Sequence, residues 1–111
     1  MAKLISIYWR DIPAQVIGRQ ARRKVKRELD PRFQAAIDRA AMRAGRGSSD
    51  AYLADWRRES EMVDGDLDAL VEGKIRELEA GFPEEFLERV VKAGGRVDGI
   101  EPERAGTTEQ P

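Results

Sequence analysis

The sequence predicts an α+β domain: a three-stranded antiparallel sheet, with room for a short fourth edge strand, covered mainly on one face by about four helices. Three observations lead there. β-branched and aromatic residues crowd the N-terminal segment, helical periodicity appears only after Asp30-Pro31, and glycine or proline punctuates each later segment. Strand-like segments come first and helix-like segments later, which is the order of an α+β chain rather than of alternating βαβ units. At 111 residues the chain is one domain. Residues 1–95 are read as folded and 96–111 as a disordered tail, since that tail is Gly, Pro, Thr and charge around Val97 and Ile100.

Residues 3–9 read as the first strand, with Ile5, Ile7 and Trp9 on one face and Leu4 and Tyr8 on the other. Arg10 and Asp11 break the apolar run and Pro13 fixes φ, so the chain turns or leaves the sheet there. Ala14 to Arg19 reads as the second strand. Residues 20–29 fit either a helix, through Val25 and Leu29, or a basic third strand with Gln20-Ala21 at a hairpin tip. The strand is preferred, because Asp30-Pro31 would stop a helix at once.

Asp30 and Pro31 form an N-cap and first helical position, after which Phe33, Ile37, Ala40, Ala41 and Ala44 recur at helical spacing until Gly45. Ser48 or Ser49 caps a brief helix over Asp50 to Arg57, with Tyr52, Leu53 and Trp56 facing inward. Arg58 to Asp64 is a fourth edge strand or a loop. A longer helix follows from Asp66 to Ala80, carried by Leu67, Leu70, Val71, Ile75 and Leu78, weakened by Gly73 and ended by Gly81. Pro83 opens the last helix, whose stripe is Phe86, Leu87, Val90 and Val91 and whose stop is Gly94-Gly95.

Composition removes whole classes of chemistry. The chain has no cysteine and no histidine, so disulfides, zinc–thiolate sites, cysteine nucleophiles and the commonest metal ligand are excluded. Ser48 and Ser49 have no histidine to activate them, and the carboxylate clusters Asp64-Asp66-Asp68 and Glu84-Glu85-Glu88 sit where helix starts attract negative charge. Gly45-Arg46-Gly47-Ser48 has neither the Walker lysine nor dinucleotide spacing. No catalytic residue, metal or cofactor is expected. The apolar run Leu4 to Trp9 is too short for a signal peptide or a membrane span, and the protein is expected in the cytoplasm.

The net charge of −1 conceals a division. Met1 to Arg46 holds 12 Lys+Arg against 4 Asp+Glu, or +8; Gly47 to Pro111 holds 8 against 17, or −9. Either the halves attract each other, or the basic half faces an acidic partner or nucleic acid. The run Arg19 to Arg27 has six cations in nine residues and no aromatic. Stacking platforms for single strands need aromatic rings, so this run reads first as a solvated strand protected from edge-to-edge pairing and second as a weak nucleic-acid site.

Tyr8-Trp9-Arg10-Asp11-Ile12-Pro13-Ala14-Gln15-Val16, Phe33 to Gly45 and Ser49 to Trp56 together resemble the bacterial "virulence factor" domain family, also found in conserved virulence factor C proteins. The resemblance covers residues 3–65; the helical part 66–95 matches more weakly. It implies a role in virulence or its regulation, with no activity or ligand to transfer. It also implies a companion of one-carbon (methylfolate and corrinoid) methyl-transfer enzymes.

Among the matching residues, Phe33, Ile37, Ala40, Ala41, Tyr52, Leu53 and Trp56 read as core. The candidate binding residues are Trp9, Arg10, Asp11, Gln15, Arg39, Arg43 and Asp50. Their polar members, with Asp38, either form buried ion pairs (Asp38 with Arg39 or Arg43, Arg10 with Asp50) or line a cleft between the first bend and the central helices. The leading functional expectation is a non-enzymatic accessory or regulatory module that binds another protein. The alternatives are a small-ligand-binding companion of methyl-transfer enzymes and, third, the weak nucleic-acid site at 19–27.

Overall fold

A computed structural model describes residues 1–98. Its elements run β1 (Ala2–Trp9), β2 (Ile12–Gln20), β3 (Arg23–Glu28), α1 (Pro31–Arg43), α2 (Ser49–Ala54), β4 (Trp56–Val63), α3 (Leu67–Ala80) and α4 (Glu84–Lys92). The four strands form one antiparallel sheet in the order β3-β2-β1-β4. The fold is the α+β class that the sequence predicts, with the fourth edge strand present.

Both N-terminal hairpins are tight. Trp9 pairs with Ile12 across Arg10-Asp11, and Gln20 pairs with Arg23 across Ala21-Arg22. Arg10 (φ 53) and Ala21 (φ 54) take the left-handed conformation there without being glycine, which costs roughly 1–2 kcal/mol each. β2 starts at Ile12, two residues before the expected Ala14, because the extra residue Ala14 is absorbed as a bulge between the Ile7–Gln15 and Tyr8–Pro13 pairs. That bulge gives Pro13 a place inside a central strand. The β1–β4 register runs unbroken, so Ile5, Ile7 and Trp9 share one face as expected; Trp9 joins the main core, whereas Ile5 and Ile7 lie outside that cluster.

Residues 23–28 are strand, not helix, with Val25 opposite Gly18. The reason is tertiary: β3 lays Arg23 and Arg27 against α3, where they meet Asp68 at 3.0 Å and Glu72 at 3.1 Å. α3 covers β1, β2 and β3 so closely that a Cβ on Gly18 would stand 2.6 Å from Val71 and 2.8 Å from Leu67. Only glycine lets the helix approach that far. α1 packs on α4 and on β2. The core is Leu4, Trp9, Ile12, Val16 and Val25 from the sheet and Phe33, Ile37, Ala40, Leu67, Val71, Val90 and Val91 from the helices.

α1 begins as expected, with the Asp30 side chain accepting from the Arg32 backbone N–H. α2 is shorter than expected. Ser48 caps it, and it ends at Ala54 because Trp56 already pairs with Trp9 as the first residue of β4. Leu53, expected inward, is 64% exposed, since a helix of so few residues turns only Tyr52 toward the core. Pro83 is the N-cap of α4 rather than its first helical residue. The expected tail, 96–111, lies outside the described residues from position 99 onward; Val97 packs against the core.

Candidate interaction surface

Three places concentrate polar or exposed apolar side chains: the Arg10-Asp11 turn, a cleft beside α1, and the outer face of the sheet.

At the turn both side chains, Arg10 and Asp11, have partners within the chain. The Arg10 guanidinium donates from Nε to Asp55 Oδ2 at 3.1 Å and from Nη1 to the Gly94 carbonyl at 3.0 Å. Its backbone N–H reaches the Asp55 carbonyl at 3.0 Å, and its own carbonyl accepts from Arg57 Nε at 2.7 Å. Asp11 donates its backbone N–H to Gly95 and accepts from the Val97 N–H at 2.8 Å and from Arg57 Nη2 at 3.4 Å. Trp9 lies fully buried beneath, its indole N–H on the Tyr52 carbonyl at 2.8 Å and its ring stacked on Tyr52. Gly95 fits because a Cβ there would come within 2.9 Å of the Trp9 ring, and its φ of 94 suits glycine alone. Arg46 adds a second guanidinium to Asp55 Oδ2 at 3.0 Å. Burial alone would raise the Asp55 carboxyl, but the hydrogen bonds and charges of Arg10 and Arg46 outweigh it and hold its pKa below the ordinary value.

The turn thus fastens α2, the end of α1 and the segment after α4 to the sheet. The expected Arg10–Asp50 pair is not formed. Asp50 is exposed in the first turn of α2, where the helix dipole accounts for it, and Asp55 takes its place because it ends α2 directly opposite Arg10. Nor does Asp38 pair with Arg39 or Arg43. Asp38 accepts from the Gln34 amide one turn back, and Arg39 pairs across to Glu88 of α4 with both carboxylate oxygens. Hydrogen bonding from Arg39 holds Glu88 below its ordinary pKa. Arg39 and Arg43 line a shallow groove of about 410 Å³ between α1 and α4 with Met42, Glu88, Val91 and Lys92.

Gln15 stands apart from the turn. It lines a cleft of about 560 Å³ with Lys26 and Glu28 on β3, Gln34 and Asp38 on α1, and Trp56 at the rear. Tyr52 meets Trp56 edge-on and accepts from Gln34 at 3.2 Å, so the aromatic wall is held in place.

On the outer face Ile5, Ile7 and Ile17 stand apart from the main core, Ile5 buried among its neighbours and Ile7 and Ile17 half-exposed. Strand register arranges this face in three cross-strand rows: Lys24–Arg19–Lys3–Met62, then Lys26–Ile17–Ile5–Ser60, then Glu28–Gln15–Ile7–Arg58. Met62 is 59% exposed. The cations of the inner face are neutralised by α3, yet among the described residues no ion pair involves Lys3, Arg19, Lys24, Lys26 or Arg58. The two halves of the chain do attract each other, through Arg10, Arg23, Arg27, Arg39 and Arg46. The attraction consumes one side of the basic run and leaves the other. This surface was visible in the sequence only as alternation within 19–27; which alternate residues α3 would cover was not.

Among the described residues no cluster of three acidic side chains is placed to hold a metal, and no helix is long and apolar enough to cross a membrane. Neither the curated proteins nor the solved structures contain a match to this chain. The sequence model of the virulence factor family, however, matches residues 7–91, from the end of β1 through α4, and so takes in the turn, the cleft and the helices beyond residue 65. The chain belongs to the virulence factor family.

Proposed function

We propose that the domain is a non-enzymatic accessory or regulatory module that binds another protein through the outer face of its sheet and acts in the cytoplasm. The observation that carries this is the combination, on one sheet face, of Lys3, Arg19 and Lys24 without ion-pair partners among the described residues and of half-exposed Ile7 and Ile17 with exposed Met62. Apolar patches rimmed by polar residues mark interaction sites. A reaction has little support: histidine and cysteine are absent from the chain, and the best-defined ion pairs hold elements together. The turn residues Trp9, Arg10 and Asp11 serve by making the scaffold rigid. A photocrosslinking residue at Ser60, on the outer face, is expected to capture another protein in the native cell, and one at Ala80, exposed at the end of α3, to capture none. Equal labelling from both positions, or none from Ser60, would reject the reading.

A small-ligand companion of one-carbon enzymes is the second reading, supported by the cleft of about 560 Å³ with its Gln15 and Gln34 amides and Trp56 ring. Thermal-shift screening against folates, corrinoids and nucleotides tests it. A true ligand at a hundredfold excess over its Kd stabilises by about 2.7 kcal/mol, and a flat response to all of them removes it.

A further inference from the structure

The outer face holds like charges side by side. Lys24, Arg19 and Lys3 stand directly opposite one another on three neighbouring strands. Like charges in that position repel and destabilise a sheet. On the other side of the same strands the problem is solved, with Asp68 and Glu72 delivered by α3 to Arg23 and Arg27. Nothing equivalent reaches the outer row among the described residues. Next to it lie Lys26, Ile17 and Ile5, then Ile7 with Arg58 at the β4 edge. A basic strip beside an aliphatic strip has a definite complement.

Resting on the protein-binding reading, we propose that the outer face receives an acidic amphipathic helix of a partner protein. Its carboxylates lie along Lys24, Arg19 and Lys3, and its aliphatic side chains cover Ile7, Ile17 and Met62. The helix thereby repeats on the outer face what α3 does on the inner one. β1 has eight residues, a length of about 26 Å, which a helix of about 17 residues spans. A nucleic acid fits this face less well, because the basic row borders aliphatic side chains and the one aromatic nearby, Trp56, stands beside Ile7 and Arg58 at the opposite end of β1 from Lys3. A second copy docked face to face about a twofold axis would bring a basic strip against isoleucines or another basic strip.

The test uses the full chain and three probes: an acidic Glu/Leu/Ala amphipathic peptide of about 17 residues, the same peptide with every Glu replaced by Lys, and an oligothymidylate. Methyl and amide resonances are followed during titration at physiological salt. The acidic peptide is expected to shift the signals of Ile5, Ile7, Ile17 and Met62 and to bind at least about tenfold more tightly than the lysine peptide. Arg19→Glu is expected to weaken it about tenfold while raising the melting temperature, since the new carboxylate sits between Lys3 and Lys24 and relieves their repulsion. Arg76→Glu, on exposed α3 surface, is expected to change neither. Equal binding of both peptides, tighter binding of oligothymidylate at this face, shifts elsewhere, or a lowered melting temperature for Arg19→Glu each overturns the proposal. The protein-binding reading fails separately. Absence of a Ser60 adduct in cells rejects that reading whatever the peptides do, and a Ser60 adduct without acidic preference rejects only the acidic helix.

Discussion

At the Arg10-Asp11 turn, side chains and backbone groups are tied into the chain at almost every donor and acceptor, from Asp55 and Arg57 to Gly94, Gly95 and Val97. On the outer face, Lys24, Arg19 and Lys3 stand opposite one another with no carboxylate brought to them among the described residues. Both regions are dense in charge and both lie on the same sheet. A charged residue that fastens elements together is judged by the partners it meets, and one left on a surface by the partner it lacks. In this domain the turn, the more conspicuous of the two in sequence, belongs to the first kind. The plain-looking basic run contributes to the second.

On that contrast, damage at the turn costs folding stability and changes on the outer face do not. The largest effect is expected from Trp9→Ala, which removes a fully buried ring along with its stacking on Tyr52. Urea denaturation should show a loss of about 3–5 kcal/mol.

Next comes Asp55→Ala, which strands the Arg10 and Arg46 guanidinium groups, and its expected cost is about 2–3 kcal/mol. This loss has a pH signature. The folded Asp55 pKa is lowered from 3.8, so its contribution is complete above that value and disappears as pH falls through the lower folded pKa. Stability curves of the two proteins should therefore converge in strong acid and separate at neutral pH. A gap that stayed constant would show that the carboxylate's charge is not what holds the turn.

Arg10 separates side-chain bonding from backbone strain. Arg10→Ala loses the bonds to Asp55 and Gly94 yet keeps a Cβ at φ 53. Arg10→Gly loses the same bonds and removes the Cβ, so it should be milder by about 0.5–1 kcal/mol. If the two melt alike, the turn is relaxed and the strain assigned to it is absent.

The smallest effects are expected where the sequence alone would have placed a site or a bland edge. Asp50→Ala, and Lys24→Glu combined with Lys26→Glu, should each move stability by no more than about 0.5 kcal/mol in the same denaturation experiment. A loss well beyond that for the lysine pair would mean that the outer face is structural too, and the contrast between the two regions would be gone.

The candidate site was only half legible. Gln15 was singled out beforehand and does line the cleft, but Gln34, Lys26 and Trp56 join it from other elements that only folding brings near. Asp55 and Arg46, which complete the turn, carried no sign of that pairing: Asp55 lies within the Ser49 to Trp56 block, but neither residue sits in a periodic stripe or at an expected cap.

What the sequence determined by itself was local. The Asp30-Pro31 helix start, the α3 periodicity from Leu67 to Leu78 and the stop at Gly94-Gly95 follow from hydrogen bonds and packing within a few residues of each other. The choice of strand over helix at 23–28, the identity of Arg10's partner and the open face were tertiary decisions. Arg10 meets Asp55 across 45 residues and Gly94 across 84, and Val97 reaches Asp11 across 86. Periodicity reports which side of an element is apolar. Which charge will be delivered opposite another depends on strand order and register and on how closely α3 packs over Gly18.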